Sequence, residues 1–177
     1  MVITTSNPLA TFYFKNINDL ETQEVLIQVK ADILFVIGLS QIVKSTVLNI
    51  PTHGCIGFHP TMLPEGRGRA AIAWTILKSL SPGVTFFQMD HGVDSGPIHA
   101  QVPIELASDE YPLTLIEKIK STIDVATSEF TDEAGFGNVG ATQFVWNFDS
   151  AAPTMSISAK NLASSGWAVS SDQSGVL

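Results

Sequence analysis

The 177-residue chain holds a single cysteine, Cys55. No internal disulfide can form, and there is no cysteine framework for a metal. Cys55 sits in an apolar run, where a small buried residue is expected. Basic residues are also scarce, nine Lys and Arg against 17 Asp and Glu, for a formal charge of -8. Nucleic acid needs a clustered basic footprint. Here the basic residues are spread out, and their densest pairs are Arg67/Arg69 and Lys118/Lys120, the second flanked by acidic residues. That leaves room for a small local anion site and argues against a large nucleic-acid surface. No apolar run is long enough for a transmembrane helix. The start, "MVITTSNPLATFYF", lacks the basic region and long apolar stretch of a signal peptide. A cytoplasmic protein with no membrane partner is expected.

What is present is a globular composition, 45% hydrophobic and 15% charged, sufficient for one ordinary domain with a core. "DILFVIGL" and "GCIGFH" are short apolar runs of the kind buried on both faces in parallel sheets. Between them Ser40 is placed to cap a helix "QIVKSTVLNI" that Pro51 ends. Residues 32–59 thus read as a strand–helix–strand unit. Ahead of it, Asn18 and Glu21 fit a capping box for a helix facing inward through Leu20, Val25, Leu26 and Val29. Further on come a helix "RAAIAWTILKSL", strands "GVTFFQMD" and "PIHAQVPIEL" joined by the turn "HGVDSG", and a helix from Pro112 with Leu115, Ile116, Ile119 and Ile123 on one face. After about Phe130 the chain turns rich in Ser, Ala and Gly, with "TQFVWNF" as its one strand-like stretch. The expected organisation is a domain over 1–130 and a poorly ordered or partly packed tail over 131–177.

Ligands of open parallel sheets bind outside the carboxyl ends of the strands. His59 and Asp94 each follow a strand there. A histidine beside a carboxylate is held in one tautomer and exchanges protons near neutrality. Spacing alone equally allows His59 to end a strand and Asp94 to make a turn.

The stretches "GFHPTMLPEGRGRAAIAW" and "GVTFFQMDHGVDSGPIHAQVPIEL" resemble the formyltransferases that use 10-formyltetrahydrofolate. That family includes methionyl-tRNA, phosphoribosylglycinamide and sugar-nucleotide formyltransferases. Its pattern is Asn-x-His, a Leu-Pro-x-x-Arg/Lys-Gly loop, a Gly-Val-Thr strand and an Asp-x-Gly turn. His59, Leu63-Pro64, Arg67-Gly68, Gly83-Val84-Thr85 and Asp94-Ser95-Gly96 match it in order, over roughly residues 10–125. The resemblance implies an α/β, Rossmann-like domain with a mostly parallel sheet, here with its N-terminal part shortened. It implies formyl transfer to an amine, with His59 stabilising the oxyanion or passing a proton and Asp94 orienting it or relaying the amine proton. The formyl donor would lie along Ile37, Gly38, Leu39, His91, Gly92 and Val93, and the acceptor along Pro60, Arg67, Gly68 and Arg69.

"RGRAAIAW" is most similar to the sugar-nucleotide enzymes, and two arginines suit a diphosphate. The implied acceptor is an amino-sugar nucleotide, with methionyl-tRNA, phosphoribosylglycinamide and a non-catalytic folate- or nucleotide-binding role as alternatives. A homodimer is compatible with this reading. Three departures stand out. Gly57 replaces the family asparagine, and losing one such donor costs on the order of a hundred- to thousandfold in rate. His59 comes early in the chain. The tail does not resemble the family's C-terminal part, and a frame change after about residue 130 would explain its composition.

Other motifs carry less. Gly135 to Gly140 spell G-x-G-x-x-G without the strand before or the helix after that a dinucleotide site needs. His91, His99, Asp90 and Asp94 lack metal-ligand spacing, so no metal is expected. Trp74 reads as helix packing.

Overall fold

The computed structural model describes residues 2–5, 11–31, 33–133, 143–149, 154–160 and 166–170, with side chains over 12–31 and 33–123. The chain forms two compact units, Met1–Ile56 with Val139–Leu177, and Gly57–Asn138. The Gly135–Gly140 motif lies outside the described residues.

The first unit contains β1 (Val2–Thr5), β2 (Thr11–Tyr13), α1 (Leu20–Val29), β3 (Ile33–Ile37) and α2 (Ser45–Leu48). The strand β4 (Cys55–Thr61) begins here and carries the chain into the second unit. The second unit continues with α3 (Ala71–Lys78), β5 (Pro82–Gln88), β6 (Ile98–Pro103) and α4 (Pro112–Glu133). Three later strands, β7 (Gln143–Asp149), β8 (Thr154–Lys160) and β9 (Gly166–Ser170), belong to the first unit. β7 and β8 form an antiparallel hairpin, and residues 143–148 of the strand-like stretch lie in β7.

In the first unit the strand order is β2-β1-β9-β3. β1 runs antiparallel to both neighbours, and β3 runs parallel to β9. Leu34, Phe35, Val36 and Ile37 are all buried. Consecutive burial means both faces are covered, as expected of an apolar run without alternation.

The helices flanking β3 differ from the sequence expectation, and side chains explain why. Asn18 does not cap α1, whose N-cap is Asp19 without a side-chain bond. Instead Asn18 Nδ2 donates to the Ile42 carbonyl at 2.9 Å, and its Oδ1 accepts the Lys44 N–H at 2.8 Å. Gln41 similarly accepts the Ile17 N–H at 2.8 Å and donates to the Lys15 carbonyl at 2.7 Å. These bonds keep residues 41–44 out of the helix, so the helix expected over 41–50 shrinks to α2, whose N-cap is Lys44 and not Ser40. α1 buries Thr22 and Leu26, while Leu20 is exposed.

In the second unit the order is β4-β5-β6, with β5 and β6 antiparallel. Their register slips between Phe86 and Phe87, so Ala100 faces Phe86 and Ile98 faces Phe87, with His99 as the extra residue. The core comprises Leu63, Ala71, Val84, Phe86, Phe87, Ala100, Leu115, Ile119 and Ile123. α4 therefore turns the expected face inward, with Ile116 half-buried beside it. Trp74 is not core: it is 47% exposed, and the Lys78 ammonium lies 4.7 Å from its ring centroid.

Candidate active site

β4 extends two residues beyond His59, so the histidine lies within the strand and is not its terminus. His59 is 6% exposed. Its Nε2 lies 2.7 Å from the Gly66 carbonyl and its Nδ1 3.5 Å from Asp94 Oδ2. A carbonyl only accepts, so Nε2 carries a proton. Nδ1 then faces a carboxylate oxygen.

The partners come from two loops of the same unit. Gly66 has φ +69°, and a Cβ there would fall 2.9 Å from Thr61 Cγ2. Glycine lets this loop curl back over the end of β4 and aim its carbonyl at His59. Asp94 Oδ2 also accepts the Gly68 N–H at 2.8 Å. Asp94 itself adopts a left-handed conformation, φ 48°. Aspartate tolerates that region better than most residues, and such backbone recurs at functional sites. Its side chain is 21% exposed against 7% for His59. The carboxylate is thus the solvent-reachable member of the pair.

Hydrogen bonds brace the loop after β4. Thr85 Oγ1 donates to the Thr61 carbonyl at 2.6 Å, and Gln101 Nε2 donates to the Leu63 carbonyl and to Thr85 Oγ1 at 3.0 and 2.9 Å. Glu65 accepts the Ser81 N–H on Oε2 at 2.8 Å, and its carbonyl accepts from Thr61 Oγ1 at 2.6 Å. Sequence reasoning passed over Gln101. Its only signal was a polar residue in the apolar stretch "PIHAQVPIEL".

The other singled-out residues are placed as follows. Pro60 lies in β4 and is half-buried, while Arg67 and Arg69 are exposed on the loop with Gly68 between them at φ +96°. His91, Gly92 and Val93 are exposed in the turn after β5. That turn is fixed by Asp90, which accepts the Gly92 N–H at 2.9 Å and the Ser95 hydroxyl at 2.8 Å. The Ser95 hydroxyl first, then the Gly92 N–H, hold the Asp90 carboxyl below its ordinary value, with smaller help from the charges of His91 and Arg67. In the first unit, Ile37 is buried and Gly38 is exposed with φ +66°, followed by half-buried Leu39. The position two before His59 is filled from across the sheet: a Cβ on Gly57 would lie 2.6 Å from Phe87 Cζ and 3.1 Å from Met89 Cγ. Among the described residues, no three His, Cys, Asp or Glu side chains are grouped to hold a metal ion. No helix among them is long and apolar enough to cross a membrane.

Known proteins give this geometry its context. The formyl transferase family model matches residues 4–127. A methionyl-tRNA formyltransferase of Agathobacter rectalis is 34% identical over 117 residues, which is 66% of this chain but 38% of that relative. Among solved structures, a phosphoribosylglycinamide formyltransferase of Bacillus halodurans has TM-score 0.56 and 27% identity, covering 65% of this chain and 62% of its own. The formyltransferase PseJ of Anoxybacillus kamchatkensis, solved with UDP-4,6-dideoxy-4-formamido-L-AltNAc and tetrahydrofolate, has TM-score 0.52 and 24% identity, covering 57% of this chain and 53% of its own, and shares the fold. The chain spans well under half the length of the curated relative it matches. With this match running through both His59 and Asp94, the chain belongs to the formyl transferase family, and its α/β architecture is the Rossmann-like one of that family.

Proposed function

We propose that this chain transfers a formyl group from 10-formyltetrahydrofolate to the amine of a small anionic acceptor, a nucleotide-linked amino sugar. The observation that carries the proposal is the buried His59 paired with the partly exposed Asp94 inside the family-matched region. The folate supplies an activated formyl group when bound. The exposed backbone of 91–93 and the Val93 side chain, held by the Asp90 turn, suit a flat heteroaromatic ring.

This chain's own residues handle the proton. Asp94 is the accessible base that meets a proton leaving an attacking amine. His59, with Nε2–H fixed on Gly66, faces that carboxylate through Nδ1 and shares the proton, which would pass to the nitrogen that the formyl group leaves. A positioned acid–base group of this kind contributes roughly a hundred- to ten-thousandfold in rate. Arg67 and Arg69, exposed on the adjoining loop, fit a diphosphate.

The deciding experiment follows tetrahydrofolate release with an amino-sugar nucleotide, glycinamide ribonucleotide or methionyl-tRNA as acceptor. Release with the sugar nucleotide that disappears in His59→Ala and Asp94→Ala supports the proposal. Faster release with either other acceptor reassigns the substrate. Gly57 favours a second reading, a binding protein without turnover, because Phe87 fills the space a polar side chain there would need. Tight folate binding with no release for any acceptor would establish that reading.

A further inference from the structure

We propose that Gln101 is a positioning residue for the His59–Asp94 pair, acting through the loop of residues 62–68. Gln101 touches neither member. It stands on β6 opposite Thr85 in the β5–β6 register. Thr85 Oγ1 gives its proton to the Thr61 carbonyl, so toward Gln101 it can only accept. The Leu63 carbonyl also only accepts. Two acceptors on one side fix the amide orientation: both N–H groups of Nε2 are used, one on each.

The two anchored carbonyls belong to residues two and four positions after His59, where the chain leaves β4. Beyond them the loop makes two contacts that matter. The Gly66 carbonyl accepts from His59 Nε2 at 2.7 Å, and the Gly68 N–H donates to Asp94 at 2.8 Å. One short segment therefore sets the hydrogen-bonding state of both residues, and Gln101 with Thr85 holds its root. Leu63 is buried, and its carbonyl, deprived of the Gln101 donor, drives local rearrangement of the loop. Removing the Gln101 donors releases the loop, and His59 loses the fixed acceptor that sets its tautomer.

This inference rests on the proposal that His59 and Asp94 manage the proton, and its test separates the two. Gln101→Met keeps the length of the side chain and removes both donors. The readout is the imidazole ¹⁵N spectrum of His59 through the neutral range, with no folate added. The intact protein should show a protonated Nε2 throughout; Gln101→Met should show averaged tautomers. In turnover, kcat should fall by on the order of tenfold to a hundredfold with KM unchanged, as for a misplaced reacting group. Unchanged His59 resonances in folded Gln101→Met overturn the inference. If that variant fails to fold, Gln101→Asn is read the same way, because its shorter arm cannot span both acceptors. An inactive chain still reports on His59, while turnover that persists in His59→Ala sinks the catalytic reading without touching the spectrum.

Discussion

Gly57 and Phe87 occupy one space. A side chain cannot be added at residue 57 without entering the Phe87 ring, which is itself 2% exposed. Gly57→Asn should therefore destabilise the protein by about 1–3 kcal/mol through overpacking. Phe87→Ala alone leaves a cavity and costs about 3–5 kcal/mol. Combined, the two should cost less than their sum, because each relieves the other. Urea unfolding of the four proteins in this cycle measures the coupling, and strict additivity would refute the shared space.

Asp94→Asn separates charge from shape. Asparagine tolerates the left-handed backbone of residue 94, φ 48°. Its amide oxygen can still accept the Gly68 N–H. The midpoint of thermal unfolding should change little, while formyl transfer falls by roughly a hundredfold or more. A variant with parental turnover would remove Asp94 from the proton path.

Glu110 makes stability depend on acid. Lys118 first, then the Thr114 hydroxyl and the Ala107 N–H, bond its carboxylate and hold its pKa at about 2 against an ordinary 4.5. A group whose pKa is depressed on folding stabilises the folded state above its unfolded value and ceases to do so as pH falls through the folded one. The contribution is thus complete above pH 4.5 and lost on the way to about 2. Glu110→Gln should be less stable than the parent near neutrality, and the gap should close across that window in pH-dependent thermal melts. The Glu110 side chain is 3% exposed and only its partner Lys118 reaches solvent, so added salt should narrow the gap only weakly.

Thr75 lies on α3, fully buried, and its hydroxyl is the one buried side-chain oxygen or nitrogen without a partner among the described residues. An unsatisfied hydroxyl costs about 1–3 kcal/mol. Valine has nearly the same shape and a similar helix propensity. Thr75→Val should raise the unfolding free energy by about 1 kcal/mol, measured in urea; a loss of stability would mean the hydroxyl is satisfied.

The Cys55 thiol is buried, and burial pushes its pKa up to about 12. A thiol reagent should modify it only as fast as the protein unfolds. Modification at the rate of a free thiol under native conditions would contradict that burial.

The strands β3, β4 and β5 were legible because consecutive apolar residues leave few alternatives to burial on both faces. His59 and Asp94 were legible as a pair by family pattern, although nothing in their spacing showed that Gly66 and Gly68 would be the groups binding them. Residues 41–44 misled for a definite reason. The run reads as helix between Ser40 and Pro51, but Asn18 binds the Ile42 carbonyl and the Lys44 N–H while the Gln41 side chain binds the backbone of Lys15 and Ile17, all from more than 20 positions away, and no local window contains that competition. Gln101 was missed for the same reason: its two acceptors are 38 and 16 residues distant.

The extra residue in β6 carries a final consequence. Side chains alternate along a strand with period two, so one inserted residue reverses parity. Everything from His99 back towards the Asp94 turn is counted odd where an unbroken ladder would count it even. Gln101 and Thr85 lie on the regular side of that fault, Phe87 and the turn on the other. Deleting His99 would leave the anchor at Gln101 in register while rephasing the approach to Asp94. The hairpin thus behaves as a counter with one deliberate miscount, and the turn that carries Asp94 lies on the far side of it from Gln101.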